Sequence, residues 1–176
     1  MSDPGSSPTL DVRIARRVDL AAYVALARLA QARLMAKGLA QYVPAAHPEY
    51  DAYVRARIAD GSLHAVWTGA EPVAFFVLES ARSRWWPADF VPALYLAGMV
   101  VAPSARGQGM GDAVVEWCAA AARRQHKVAL RLDCHAGNPW LCAWYEASGF
   151  TLIGRVEQHP GYEGCLYERR VDAGGA

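Results

Sequence analysis

The 176-residue sequence lacks the features that would tie it to a membrane, to nucleic acid or to an oxidising compartment. No apolar run approaches the roughly 20 residues of a membrane-crossing helix. Net charge is +1, so no strong field draws the chain toward nucleic acid or an anionic lipid surface. Met1 to Thr9 is rich in Ser, Pro and Gly and has no signal-peptide apolar segment, so 1–9 reads as a disordered leader and 173–176 as a loose tail. Cys118, Cys134, Cys142 and Cys165 form no C-x-x-C pair, and each lies in an apolar stretch. Reduced, buried thiols in a cytoplasmic protein are expected, with no metal. There is no internal repeat or linker. What remains, 53% hydrophobic and 20% charged residues, suits one globular domain over 10–172.

Periodicity orders the chain. Val12 and Ile14 alternate with Arg13 and Ala15, a short strand over Asp11–Arg16. Asp19 is placed to cap a helix from Leu20 to about Lys37, which Gly38 ends. A loop carrying Gln41, Tyr42 and His47 leads to a second helix over Pro48–Ala59. Strands follow over Ser62–Thr68, Pro72–Glu79 and, after a loop with Trp85 and Trp86, Leu94–Val101. A helix runs to about Gln125 and a strand spans Val128–Cys134. Asn138-Pro139 opens the next helix, with Gly149 just past its end. Strands over Phe150–Glu157 and Cys165–Val171, joined by a turn-rich loop His159–Gly164, complete the order βααβββαβαββ. That is a mixed α/β sheet domain.

The strand ending Met99-Val100-Val101 meets Arg106-Gly107-Gln108-Gly109-Met110-Gly111-Asp112 at the head of a helix. Unpaired N–H groups and the positive end of the macrodipole make such a junction an anion site. No Gly-Lys-Ser/Thr follows, which excludes a P-loop. A dinucleotide fold fits poorly. The place for its third glycine holds Asp112, and Ala102–Arg106 intervenes before the first glycine.

Arg106-x-x-Gly109-x-Gly111, together with Leu132 to Asn138 and Tyr145-x-x-x-Gly149-Phe150, resembles the GCN5-related N-acetyltransferases (GNAT). The order of elements matches that family along nearly the whole chain. The resemblance implies a GNAT-like fold in which the strand ending at Val101 splays from Val128–Cys134. It implies acetyl transfer from acetyl-coenzyme A (acetyl-CoA) to a primary amine by direct attack in a ternary complex. Backbone groups of Met99, Val100 and Val101 would pair with the pantetheine arm. Those of Gly107, Gln108, Gly109, Met110, Gly111 and Asp112 would hold the pyrophosphate, with Arg106 either on phosphate or in solvent. Asn138 would contact the arm, cap its helix, or do both.

Tyr145 is the expected general acid, its phenol protonating the departing thiolate, although a core tyrosine would also fit its apolar helix. The Leu94–Val101 strand carries no carboxylate or imidazole, so the base is open: Glu79, His135 and Asp133 are candidates. Gln41, Tyr42, Trp85 and Tyr162 are expected to line the acceptor site, with aromatic walls suited to a small amine. Trp85 and Trp86 could equally pack under the sheet or at a homodimer contact. The competing readings are an acyl-CoA sensor without turnover and a protein (N-terminal or lysine) acetyltransferase.

Overall fold

Seven strands and four helices form in the expected order in the computed structural model, which describes residues 10–39, 41 and 48–171. The leader, the tail, Tyr42 and His47 lie outside the described residues. The elements are β1 (Asp11–Ile14), α1 (Leu20–Met35), α2 (Pro48–Ala59), β2 (Leu63–Thr68), β3 (Glu71–Glu79), β4 (Ala93–Val101), α3 (Met110–Arg124), β5 (Ala129–His135), α4 (Pro139–Ala147), β6 (Thr151–His159) and β7 (Tyr162–Arg170). They build one sheet of order β1-β2-β3-β4-β5-β7-β6. Every pair is antiparallel except β4 with β5.

Alternation gives the sheet two apolar faces. On the front, Ala65, Phe75 and Val77 pack against Tyr23 and Ala27 of α1 and Val54 of α2. On the back, Leu94, Leu96, Leu130 and Leu132 pack against Val114, Val115, Cys118, Ala119, Ala121 and Ala122 of α3. Those α3 residues recur at helical spacing, so one stripe of the helix is buried. Tyr145 of α4 and Phe150 extend this back cluster. A strap, residues 80–92, covers the front of β4 and β5, where Trp86 packs on Ala93, Tyr95 and Ala129.

β4 is irregular at Gly98. Val77 faces Ala97 and Phe75 faces Val100, so Phe76 alone stands opposite both Gly98 and Met99. Gly98 takes φ +57°, as a bulge residue in the left-handed region does. One extra residue reverses the alternation. Tyr95 and Ala97 point forward before the bulge; after it Val100 points forward, while Met99 and Val101 join the back cluster. β4 then stops pairing with β5. The rungs are Ala93↔Ala129, Leu94↔Leu130 and Tyr95↔Arg131, whereas β4 runs on to Val101 and β5 to His135. The splay implied by the family resemblance is therefore present.

Two local expectations need correction. Asp19 makes no side-chain bond that caps α1; its Oδ2 accepts from the Arg16 N–H at 2.7 Å and closes the preceding single turn. The loop expected over His159–Gly164 is a tight hairpin in which His159 pairs with Tyr162. Gly161, at φ +79°, makes the turn, and β7 begins at Tyr162.

Gly98→Ala puts a Cβ in the left-handed region and 3.4 Å from the Tyr23 hydroxyl. The expected loss is about 1–2 kcal/mol of stability, read from urea unfolding. An unchanged midpoint would mean the bulge is not held in this conformation.

Candidate active site

The glycine loop is built as an anion cradle. Gly107 and Gly109 take φ +71° and +74°, and Gly109 stands at the cap of α3 with no side chain to satisfy the first N–H groups of the helix. Those donors and the helix dipole converge on the mouth of the loop. Gly111 has a different reason for being glycine. It lies inside α3, and a Cβ there would come within 3.0 Å of the Trp144 ring. Trp144 packs over it and donates from Nε1 to Asp112 Oδ1 at 3.1 Å, tying α4 to the first turn of α3. Gln108 folds back to donate to the Ser104 carbonyl at 2.7 Å.

Arg106 is fixed to the end of β4, donating from Nε to the Val101 carbonyl at 3.0 Å. Burial, and the nearby charge of Arg33 on α1, lower its pKa. The two guanidinium groups are close enough to repel, and a bound anion near Arg106 would offset that repulsion. Sequence reading missed Arg33. It lies on a helical face far along the chain, and nothing local marks it.

Beyond the Tyr95↔Arg131 rung the sheet opens into a cleft between residues 96–101 of β4 and 132–135 of β5. Met99 and Val101 are half-buried there, and Val100 is buried. Tyr145 lies behind the cleft, buried, against Trp144 (4.8 Å between ring centroids), Phe150 (5.5 Å) and Tyr167 (6.2 Å).

The three base candidates differ in what holds them. Glu79 is ion-paired with Arg57 of α2 and stands opposite Tyr95, one rung before the cleft. Burial raises its pKa. His135 is stacked on Tyr162, 4.2 Å between centroids, with Nδ1 3.3 Å from the Glu163 carbonyl. Asp133 lies past the last β4–β5 rung, on the edge of β5 that faces the cleft, and by alternation faces forward, opposite to Tyr145. The Gln158 amide donates to its Oδ2 at 2.8 Å, and burial raises its pKa. Of the three, Asp133 alone is a carboxylate on the cleft wall with no cation paired to it.

Asn138 does more than cap. Its Oδ1 accepts from the Leu141 N–H at 3.2 Å, and its Nδ2 donates to Gln41 Oε1 at 2.8 Å. The Gln41 carbonyl accepts from the Tyr162 hydroxyl at 3.2 Å. Gln41, in the segment that follows α1, thus clasps α4 to the β6–β7 hairpin. Gln41, Tyr162, Asn138 and His135 come together at one end of the cleft. Trp85 does not join them: it packs against the Trp86 cluster, with the Arg84 guanidinium 4.3 Å from its ring. Trp86 is buried under Arg131, whose guanidinium lies 4.4 Å from its ring and bonds Asp89 (2.7 Å), Glu168 (2.8 Å) and Tyr95 (3.2 Å). That network fastens the strap at the rung where the sheet divides.

Solved structures share this architecture. An acetyltransferase of the GNAT family from Streptococcus agalactiae 2603 superposes with TM-score 0.78 at 13% identity, covering 94% of this chain and 97% of that one. The yncA protein of Salmonella typhimurium, solved with its cofactor acetyl-CoA, superposes with TM-score 0.62 at 17% identity, covering 96% and 97%. At these identities the likeness is one of fold, and the fold class is that of the acetyltransferases. The sequence carries the point further, because the model of the acetyltransferase (GNAT) family matches residues 30–150. The chain belongs to that family. An uncharacterized N-acetyltransferase of Bacillus subtilis (strain 168), YesJ, is 28% identical over 92 residues, 52% of this chain. The match takes in 49% of YesJ, so the chain spans about half the length of this curated relative.

Asn138→Ala removes both the cap and the clasp, with an expected loss of about 1–2 kcal/mol in urea unfolding. Asn138→Ser restores a cap oxygen and should recover about half of it. Equal losses in the two variants would show that the cap contributes nothing.

Proposed function

We propose that the protein is an N-acetyltransferase that moves the acetyl group of acetyl-CoA to a primary amine of a small molecule, by direct attack in a ternary complex. The observation that carries this reading is the cleft itself. It opens from the anion cradle at the head of α3 and runs between two strands, with a phenol behind it and a carboxylate in front. Acetyl-CoA supplies an activated acyl group and a thiolate leaving group. The acetyl-CoA complex of the Salmonella protein, which shares the fold, supports that choice of donor.

The residues fit such a donor. The N–H groups of Gly107 to Asp112 meet its pyrophosphate, flanked by Arg106 and Arg33. The free edge of β4, Met99 to Val101, pairs with the pantetheine amides as an added strand would. Asn138 contributes at the other wall. Its amide has one N–H engaged with Gln41 and a second available to the arm.

The amine needs a base. With a pKa near 10.4, an alkylammonium is only about a thousandth deprotonated or less at pH 7. We assign that role to Asp133. Desolvation raises its pKa toward the working pH, the range in which a carboxylate accepts a proton most usefully. Tyr145, on the opposite side, protonates the leaving sulfur. Acid and base on opposite faces let the amine enter from the front while the thiolate departs behind. Glu79 is committed to Arg57 and His135 to its stack on Tyr162. The Gln41 clasp, which bridges one end of the cleft, supports a small acceptor over a peptide.

Thiol release from acetyl-CoA across a panel of small amines and peptides tests the reading. Release with small amines is expected, and binding of acetyl-CoA with no release for any acceptor would overturn it. Tyr145→Phe should lower kcat about 100-fold with acetyl-CoA affinity little changed. Asp133→Asn should lower kcat by a similar factor, with part of the loss recovered at high pH, where more of the amine is free. A loss that is the same at every pH would remove Asp133 from the role.

A further inference from the structure

Three of the four thiols gather where α4 meets the sheet. Cys134 is on β5, just past the last rung with β4, and its sulfur lies 3.8 Å from that of Cys142 on α4. Cys165 of β7 stands opposite Cys134 in register. Cys134 and Cys165 are buried, and Cys142 is half-buried. All three are free thiols, and among the described residues no group of His, Cys, Asp and Glu is arranged to hold a metal. Cys118, in α3, is buried in the same back cluster but on a different helix.

We propose that Cys134 and Cys142 form an oxidation site for a hydroperoxide, and that their disulfide shuts down acetyl transfer by displacing α4. Cys142, the more accessible thiol, reacts first. Its thiolate attacks the terminal peroxide oxygen, the O–O bond breaks, and a sulfenic acid results, with an alkoxide (hydroxide, for hydrogen peroxide) that takes up the proton the thiol gave up. The Cys134 sulfur then attacks the sulfenic sulfur, the S–S bond forms, and water leaves. In sum the two thiols lose two electrons and two protons, and one hydroperoxide is reduced to water and an alcohol, or to two waters if it is hydrogen peroxide. Burial pushes the Cys165 thiol up to about 11 and that of Cys134 higher, which suits Cys134 to the second step, not the first.

The consequence follows from distance. The sulfurs must close from 3.8 Å to about 2.0 Å. The nine residues from Cys134 to Cys142 include Asn138, the anchor of the Gln41 clasp. Tyr145 lies about one helical turn beyond Cys142. Drawing α4 toward β5 moves the phenol, and misplacement of a reacting group by about 1 Å can cost on the order of 100-fold in rate. The effect on transfer rests on the acetyltransferase reading, whereas the disulfide does not.

The test is to treat the full chain with hydrogen peroxide, map its peptides, and assay acetyl transfer before and after dithiothreitol. A Cys134–Cys142 link, at least a tenfold loss of turnover and recovery on reduction are expected, with Cys142→Ser and Cys134→Ser holding their rates under peroxide. Three results would overturn the proposal: no link, a link that uses Cys165, or a linked protein that turns over at the reduced rate. If the reduced protein neither binds nor consumes acetyl-CoA, the acetyltransferase reading fails, while the peptide map still decides the disulfide.

Discussion

The structure depends on one interruption of backbone pairing. Parallel strands with good registry would ordinarily pair along their common length, and leaving their N–H and C=O groups unpaired in a protein interior is costly. Here β4 and β5 share rungs only from Ala93 to Tyr95. The bulge at Gly98 supplies the local cause, since it turns β4 and reverses which residues face each layer. Polar groups along the open edges are then satisfied by whatever fills the cleft. A flexible donor carrying amides along its length is chemically matched to such an edge.

Two devices hold the divided sheet open at the right place. On the front, Arg131 stands at the last rung and bonds Asp89, Glu168 and Tyr95 while covering Trp86, so the strap cannot slide into the cleft. Buried ion pairs of this kind add little net stability but penalise other arrangements when one partner is lost. On the back, Trp144 packs on the bare face of Gly111 and bonds Asp112, which sets α4 against α3 and so places Tyr145. The anion cradle and the phenol are thus positioned by the same contact.

Much of this was legible in the sequence. Period-two and helical patterns gave each element to within a few residues, and the motif from Arg106 to Gly111 with Tyr145 to Phe150 pointed to the family that residues 30–150 match. The misses share a physical cause. A bulge leaves no mark on an apolar run such as Leu94–Val101, because the reversal at Gly98 exchanges one apolar residue for another. Asp19 satisfied the rule for a helix cap, yet bonded backward to Arg16, three residues away. Pro160-Gly161 looked like loop and proved to be the turn of a hairpin. Arg33, Gln41 and the Trp144–Gly111 contact depend on residues distant in the chain, which no local pattern can pair. Of the base candidates, Asp133 could be distinguished only once the partners of Glu79 and His135 were visible.

The central claim is that the cleft between β4 and β5 seats the acyl donor with its thioester between Tyr145 and Asp133. A crystal structure with acetyl-CoA bound tests it most directly. The account predicts pyrophosphate on the N–H groups of Gly107 to Asp112, pantetheine amides on the free edge of β4, the sulfur within hydrogen-bond reach of the Tyr145 hydroxyl, and the acetyl group on the side of Asp133. Pantetheine lying outside the cleft, or a sulfur remote from Tyr145, would contradict it.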